Sequence, residues 1–134
     1  MQSKIDFLEQ KISEIERISD KEKKNYLGKY KKQLKVLCND LDFENDRVLQ
    51  EAAILAKKLD ITEECERVHS HINQFRNYLE SDGSVGKKMT FLVQEINREI
   101  TTIGTKAESA EISHLVVDVK VELEKIREQA QNIL

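Results

Sequence analysis

The sequence predicts an all-α protein of about six amphipathic helices, and three features of the chain support this fold class. It contains no proline and only four glycines among 134 residues, so little interrupts a long helix. Apolar residues recur three and four positions apart along most of the chain, which is typical of helices that bury one face. Aromatic residues make up 5% of the chain and charged residues 35%, which favours helices that share apolar faces over a thick globular core.

Residues 1–40 are predicted to form a helical arm or hairpin that packs on, or extends from, a helical bundle of residues 41–134. One helix is expected over residues 3–18 and another over residues 20–38, because Ser19-Asp20 interrupts the apolar pattern. The first helix carries an apolar stripe without an obvious partner inside one chain, formed by Ile5, Leu8, Ile12 and Ile15. This stripe predicts that the protein self-associates.

Four further helices are predicted in the bundle, over residues 43–59, 63–80, 86–103 and 109–133. Asp42 and Thr62 are expected to cap the first two at their N-termini. Gly104 is expected to end the third. Residues 81–84 (SDGS) combine the residue types typical of loops and are predicted to be one.

Charge is distributed unevenly along the chain, although the net charge is only −3. Residues 21–35 hold seven lysines and one glutamate, with Tyr26 and Tyr30 among them, whereas residues 36–66 hold nine carboxylates and three basic residues. A basic segment beside an acidic one can attract a polyanion and also bind a divalent cation. The alternative, which composition alone favours, is that both segments are solvated helix faces.

The cysteines and the hydropathy of the chain indicate its compartment. Cys38 and Cys65 show neither a CxxC motif nor the spacing of a Cys/His metal site, so buried reduced thiols are expected. No signal peptide is evident, and no apolar run approaches the ~20 residues of a membrane span. These features predict a cytoplasmic protein that has no membrane partner.

Polar residues three and four positions apart form a column on each of the last three predicted helices. The columns are Glu64, Arg67, His71 and Gln74; then Glu95, Arg98, Glu99 and Thr102; then Lys120, Glu124, Arg127 and Gln131. Each column combines a carboxylate, a cation and a neutral hydrogen-bonding group. Solvated helices carry the same pattern as ion pairs worth ~0.2–0.5 kcal/mol each, so the columns alone do not establish a site.

Metal-assisted phosphodiester chemistry is the functional interpretation of these columns. Glu95 and Glu99 lie one helical turn apart, with ~6 Å between their Cβ atoms, and can share an ion directly or through water. Carboxylates suit Mg²⁺ or Mn²⁺, and an imidazole such as that of His71 favours Mn²⁺. His71 can also transfer a proton near neutral pH. Cleavage needs these groups together with a cation at the scissile phosphate.

Three blocks of the sequence carry a family resemblance. They are residues 50–71 (QEAAILAKKLDITEECERVHSH), residues 86–106 (GKKMTFLVQEINREITTIGTK) and residues 124–132 (EKIREQAQN). In content and order they resemble the C-terminal region of the YicC/YloC family of bacterial endoribonucleases, and the resemblance extends over residues 41–133. It implies an enzyme that depends on Mn²⁺ or Mg²⁺, clamps and cleaves RNA rather than DNA, and assembles as a homo-oligomer, taken as a hexamer.

The resemblance also assigns roles to polar residues at matching positions. The catalytic residues it implies, together with the columns, are Glu95, Glu99 and His71. The metal ligands are Glu64, His71, Glu95 and Glu99. The RNA-binding residues are Arg67, Arg98, Lys106, Arg127, Lys87 and Lys88. Further polar residues shared with the family include Gln94, Asn97 and Glu124.

This sequence departs from the family pattern at some positions. Thr90 stands where the family has an Asp, and Thr101 stands where it has an Asn. Members also carry a strand-rich N-terminal region that this chain is expected to lack, so the chain alone is expected to cut RNA poorly. The alternative function is a non-catalytic helical module that oligomerises, binds RNA and acts as an adaptor for another nuclease.

Overall fold

A computed structural model describes residues 1–37, 50–51, 53–54, 56–81, 85–107 and 109–132. Within these ranges four helices have complete bounds: α1 (Gln2–Leu37), α2 (Thr62–Glu80), α3 (Gly86–Lys106) and α4 (Ala110–Asn132). The described residues contain no strand. The all-α fold class is therefore confirmed, whereas the predicted number of about six helices is wrong.

The two helices predicted in the arm are one continuous helix, α1. Ser19 and Asp20, which were expected to separate them, both have helical backbone. Such residues disfavour a helix interior by less than ~1 kcal/mol each. Ion pairs on both sides of this point, from Glu16 to His69 of α2 and from Lys23 to Asp60 just before α2, stabilise the continuous helix. The hairpin expected over residues 1–40 is therefore absent from the described part of α1.

The four helices pack in an antiparallel, up-and-down arrangement. Each of α1 and α3 packs against both α2 and α4. Ion pairs fix the directions: Arg76 near the end of α2 contacts Asp6 near the start of α1, and Asp60 just before α2 contacts Lys23 further along α1. These four helices therefore have the up-and-down packing of a four-helix bundle.

The first half of α1 belongs to the bundle core. Ile5, Leu8, Ile12 and Ile15 are all buried, so the stripe that predicted self-association has its partner inside the chain. The predicted boundary at residues 40–41 and the Asp42 cap lie outside the described residues and stay predictions. The predicted helix over residues 43–59 is described only in part, and its described residues from 50 to 59 are helical.

The remaining core follows the predicted apolar faces closely. Buried side chains recur at helical spacing in α2, α3 and α4, and the largest of them are Phe75, Ile72, Met89, Ile96, Ile100, Ile103, Ile112 and Ile126. Cys65 is a buried free thiol, as predicted. Burial, with smaller contributions from nearby carboxylates, raises the pKa of this thiol to about 12, so it is held in its unreactive protonated form.

Two helix boundaries differ from those predicted. Thr62 was expected to cap α2, but it is the first helical residue, and Asp60 Oδ1 accepts a hydrogen bond from its backbone N–H at 2.9 Å. Gly104 was expected to end α3, but the helix continues to Lys106. A Cβ atom at residue 104 would lie 3.3 Å from Cγ1 of Val116, so this glycine allows α3 and α4 to approach closely rather than ending a helix.

None of the helices in the described part of the chain combines the length and the apolar character that crossing a membrane requires.

Candidate functional site

Most of the predicted site residues lie along the line of contact between α2 and α3. We call this line the α2–α3 seam and define it by Glu64, Arg67 and His71 of α2 and by Glu95, Glu99 and Lys106 of α3. Five of these residues come from columns predicted on separate helices, and Lys106 comes from the family resemblance. The antiparallel packing of α2 and α3 brings the two columns face to face.

Lys106 and Glu64 form the first contact of the seam. The Lys106 Nζ atom donates to Glu64 Oε1 at 2.7 Å and to the backbone carbonyl oxygen of Asp60 at 3.3 Å. The Glu64 side chain is only 5% exposed, whereas that of Lys106 is 33% exposed. Glu64 is the one polar residue that is fully buried among the described residues, so Lys106 neutralises a carboxylate that has little access to water.

Arg67 and Glu99 form the second contact. Arg67 Nε donates to Glu99 Oε1 at 2.8 Å, and the guanidinium also lies 3.9 Å from Glu64 Oε1 and 3.7 Å from Glu63 Oε2. The hydrogen bond to Glu99 raises the pKa of Arg67 above its already high ordinary value. The Arg67 side chain is nevertheless 48% exposed, so part of its guanidinium faces solvent at the edge of the seam.

His71 and Glu95 occupy the next level of the seam. Because α2 and α3 are antiparallel and residue 67 contacts residue 99, a step of one turn along each helix places residue 71 level with residue 95. Glu95 has a loose ion pair with Arg98, at 3.9 Å, and its side chain is 28% exposed. Arg98 itself lies on the solvent-facing side of α3.

Two seam atoms are buried without a hydrogen-bond partner among the described residues. They are Glu64 Oε2 and His71 Nδ1. Leaving a buried polar atom unpaired usually costs ~1–3 kcal/mol, and such atoms in native proteins commonly mark functional positions. The unpaired imidazole nitrogen singles out His71 among the described residues of this face as a group available to bind or transfer a proton.

The four residues predicted to hold a metal do not assemble into one cluster. No group of three or more His, Cys, Asp or Glu side chains in the described ranges could hold an ion. Two of the four carboxylate or imidazole groups, those of Glu64 and Glu99, already face Lys106 and Arg67. The assignment of Glu64, His71, Glu95 and Glu99 as metal ligands stays a prediction.

A second polar groove lies on the other side of α3, against α4. It has a volume of about 160 Å³ and contains Arg127, which was predicted to bind RNA and which pairs with Glu124 at 3.6 Å. Gln94, Asn97 and Lys120 also line it. Lys120 belongs to the column predicted on the last helix, and Gln94 and Asn97 were noted as shared with the family, but none of the three was predicted as a site residue. Gln94 and Asn97 lie three positions apart and form a column of their own.

Lys87 and Lys88, which were also predicted to bind RNA, lie far from Lys106 of the seam. They are in the first turn of α3, whereas Lys106 is in its last, roughly 28 Å away along the helix at ~1.5 Å per residue. Lys88 Nζ lies 5.5 Å from the centroid of the Tyr78 ring, and both lysines are exposed. The structure thus places Lys87 and Lys88 at the opposite end of α3 from Lys106.

Comparison with known proteins places the same residues in a family. Residues 15–134 match the model of a family described as "Endoribonuclease YicC-like, C-terminal". A probable endoribonuclease YicC of Clostridioides difficile (strain 630) is 46% identical over 129 residues, which are 96% of this chain and 44% of the relative. A probable endoribonuclease YicC of Haemophilus influenzae (strain ATCC 51907 / DSM 11121 / KW20 / Rd) is 40% identical over 93 residues, which are 69% of this chain and 32% of the relative. The chain therefore spans less than half the length of these two relatives.

Proposed function

The chain belongs to the family of YicC-like endoribonucleases, and we propose that it is a region of such an enzyme that binds RNA and cleaves its phosphodiester bonds. The observation that supports this most directly is the α2–α3 seam. Across it, Glu99 and Glu64 fix two cations, Arg67 and Lys106, whose side chains remain partly exposed. A pair of positioned cations at an open surface suits a phosphate group of RNA.

Arg67 and Lys106 are proposed to bind the RNA phosphate and to stabilise the negative charge that develops as its ester bond breaks. Cations that are held in place before the reaction stabilise such charge without reorganising. Glu99, predicted from the sequence as a catalytic residue and metal ligand, accepts a hydrogen bond from Arg67 and is better suited to positioning that guanidinium. Glu64 positions Lys106 in the same way.

His71 is proposed as the proton-transfer group. Its Nδ1 atom is buried and unpaired in the described part of the chain, and an imidazole changes its charge near neutral pH. Cleavage of RNA requires one proton to leave the attacking oxygen and another to reach the leaving oxygen, and a positioned acid or base typically accelerates such a step by ~10²–10⁴-fold. Glu95 lies level with His71 and can orient it or act beside it.

A divalent ion is proposed to bind together with the RNA, because the described residues contain no group of three or more His, Cys, Asp or Glu side chains that could hold one. Mg²⁺ is often bound by one or two carboxylates together with the phosphates of a substrate. Glu95 suits that arrangement best, since its carboxylate has only the loose contact with Arg98. An ion bound in this way would supply charge neutralisation at the phosphate, and Mn²⁺ could replace it.

One observation favours the alternative, in which the chain binds RNA without cutting it. Glu64 and Glu99 are ion-paired, as expected of a structural seam. In this alternative the chain is an oligomeric adaptor that presents RNA to another nuclease. The exposed portion of Arg67 then binds RNA in the same place, but His71 has no chemical role.

The proposal also includes self-association, implied by the resemblance as a hexamer that clamps RNA. The support is a pair of exposed apolar side chains one turn apart on α4, Val117 and Val121, and a third exposed side chain, Phe91, on α3. Neighbouring apolar groups on a surface commonly mark contacts between proteins.

Incubation of this chain with an end-labelled stem-loop RNA tests the proposal. Parallel reactions contain Mg²⁺, Mn²⁺ or EDTA, and their products are separated on a sequencing gel. We expect slow internal cuts in the metal-containing reactions, since the chain alone is predicted to cut RNA poorly, and His71→Ala is expected to slow them further, by at least ~100-fold. His114→Ala is the matched control, because His114 is exposed at the start of α4 and should leave the rate unchanged.

The other outcomes assign the function differently. Equal rates for the wild-type chain and His71→Ala contradict the catalytic role of His71. RNA binding without any cut supports the adaptor. Cleavage that persists in EDTA contradicts the metal requirement while leaving the seam mechanism in place.

A further inference from the structure

A mainly apolar cleft of the described structure lies beside the seam rather than in it. It has a volume of about 250 Å³ and is formed where α1, residues 59–61 and the connection between α3 and α4 meet. We call it the junction cleft. Its apolar side is formed by Tyr26, Leu59, Ile61 and Ile112, and Lys23, Lys29 and Lys106 are among the residues at its polar side. The sequence analysis noted the basic run that contains Tyr26 but found no chemistry for it.

Lys106 connects the junction cleft to the seam. An ammonium group has three N–H donors, and two of those of Lys106 go to Glu64 and to the backbone of Asp60. The third remains for a ligand, while Glu64 and Asp60 hold the side chain in position. Lys23 is held in a similar way by Asp60, at 3.0 Å.

A second, more open groove continues from the junction cleft along α1. Lys24, Lys29 and Lys32 line it, and none of the three has an ion pair with any described carboxylate. Lys29 belongs to both the cleft and this groove. A positive path therefore runs from the seam through Lys106 and the cleft to the exposed part of α1, although Glu22 also lies at the rim.

We infer that the junction cleft binds one nucleotide of a single-stranded RNA next to the phosphate held at the seam, with the base against Tyr26 and the flanking phosphates at Lys29 and Lys106. The size supports a single base, since pockets for larger, drug-sized ligands usually exceed ~300 Å³. A groove with positive charge and an aromatic side chain on which a base can stack is the usual arrangement for single-stranded nucleic acid. The choice of RNA rests on the proposed function.

The apolar side of the cleft argues for a base rather than for a phosphate alone. Tyr26 and Leu59 line the cleft above Ile61 and Ile112, opposite its lysines, so a ligand with both an apolar face and a negative charge complements it. A nucleotide combines both. An RNA strand bound in this way is held in register with the seam, which a nuclease requires for cleavage at a defined position.

Fluorescence anisotropy with a labelled 2′-O-methyl oligoribonucleotide of about ten nucleotides tests the cleft without requiring cleavage. Tyr26→Ala is expected to weaken binding on the order of tenfold, as loss of one stacked base does. Tyr26→Phe keeps the ring and should bind like the wild type. Phe7→Ala is the matched control, because this half-buried aromatic side chain lies near the start of α1, remote from the cleft, and its loss should leave binding unchanged.

The salt dependence of binding tests the lysines. Lys29→Ala should reduce the slope of log Kd against log salt by ~0.7, the value for one phosphate contact with a single strand. Lys125→Ala removes the same charge from an exposed site on α4 and should leave the slope unchanged. Equal slopes and affinities for the wild type, Tyr26→Ala and Lys29→Ala, with native helix content in each, overturn the inference.

Photo-crosslinking of the unmutated chain provides a measurement that does not depend on variants. A 4-thiouridine oligonucleotide should crosslink within residues 22–29, whereas crosslinks confined to Phe91 or to the α3–α4 groove overturn the inference. The proposed function and the proposed role of the cleft can fail separately. RNA binding that depends on Tyr26, without cleavage, supports the cleft and contradicts the nuclease function. Cleavage that is as fast in Tyr26→Ala as in the wild type supports the nuclease function and contradicts the role of the cleft.

Discussion

Lys106 Nζ lies 2.7 Å from Glu64 Oε1 and joins the last turn of α3 to the first turn of α2. The two partners differ in their access to water, because the Glu64 side chain is nearly fully buried while a third of the Lys106 side chain is exposed. Removing the Lys106 ammonium group therefore leaves a buried carboxylate, whereas removing the Glu64 carboxylate leaves a partly exposed ammonium group.

We expect Lys106→Met to destabilise the fold more than Glu64→Gln does. The first change leaves a buried carboxylate with only the more distant Arg67, 3.9 Å away, which costs about 3 kcal/mol. The second leaves an ammonium that water can still reach, with a loss of about 1 kcal/mol. Urea denaturation followed by circular dichroism measures both. Lys125→Met, at an exposed ion pair, is the control and should change stability by less than ~0.5 kcal/mol; a larger loss for Glu64→Gln than for Lys106→Met would contradict the buried-carboxylate account.

Asp60 makes the stability of the chain depend on pH in the acidic range. The hydrogen bond from the Thr62 hydroxyl, together with Lys23, lowers the pKa of Asp60 from 3.8 to about 2. Because the folded pKa is the lower one, the ionised carboxylate stabilises the fold above about pH 4, and this contribution disappears as the pH falls to about 2. The difference in unfolding midpoint between the wild type and Asp60→Asn should therefore shrink over that interval.

The hydroxyl of Thr62 provides the control for this prediction. Since its hydrogen bond is the largest cause of the shift, Thr62→Val should raise the pKa of Asp60 toward its ordinary value. A carboxyl carbon titration by NMR measures it. An unchanged pKa in Thr62→Val would mean that Lys23 is the dominant partner.

Gly104 and Gly28 should respond differently to the same substitution. Both lie inside helices, where replacing Gly with Ala normally stabilises by about 1 kcal/mol. A Cβ atom at residue 28 meets nothing within 4 Å, whereas one at residue 104 lies 3.3 Å from Val116 Cγ1. We expect Gly28→Ala to protect the amides of α1 against hydrogen exchange, and Gly104→Ala to give little or no gain.

A double variant identifies the cause at Gly104. Val116→Ala removes the methyl group that the new Cβ would meet, so Gly104→Ala should become favourable in that background. Additive effects of the two substitutions on the urea midpoint would show that the crowding is absorbed elsewhere.

The exposed valines of α4 should control self-association. Sedimentation of the unmutated chain at micromolar concentration is expected to show species larger than a monomer, and Val117→Ser with Val121→Ser should shift the distribution toward the monomer. Ile12→Ala is not a suitable test, because Ile12 is buried in the core of its own chain and its loss would destabilise the fold instead. A wild-type chain that sediments only as a monomer would refute the prediction.

The spacing of apolar residues along the sequence was sufficient to predict most of the helices. The apolar spacing of residues 63–80 and 109–133 predicted α2 and α4 to within one residue at each end that the structure describes. The prediction succeeded because an amphipathic helix repeats about every 3.6 residues and buries one apolar stripe, and both features can be recognised within a short stretch of sequence. The same reasoning failed at Ser19-Asp20, because the preference of such residues against helix is small compared with the packing of a neighbouring helix.

The site was predictable as a set of residues but not as an arrangement. The spacing of each column, and the resemblance of the blocks that contain them, selected Glu64, Arg67, Glu99 and Lys106. Nothing in one helix indicates which residue on another will face it. The junction cleft was beyond sequence reasoning for the same reason, since Tyr26, Ile61 and Ile112 are far apart along the chain.

The sequence by itself determined the helical class, the apolar faces and the family, because these depend on residue types at fixed local intervals. Only the tertiary structure decided that Ile5, Leu8, Ile12 and Ile15 pack inside their own chain, and that Gly104 serves a close approach of two helices. It also decided that Glu99 faces Arg67. The physical reason is that the direction and register of helix packing are set by contacts between distant segments, so a carboxylate that suits a metal ion in the sequence becomes the partner of a guanidinium in the fold.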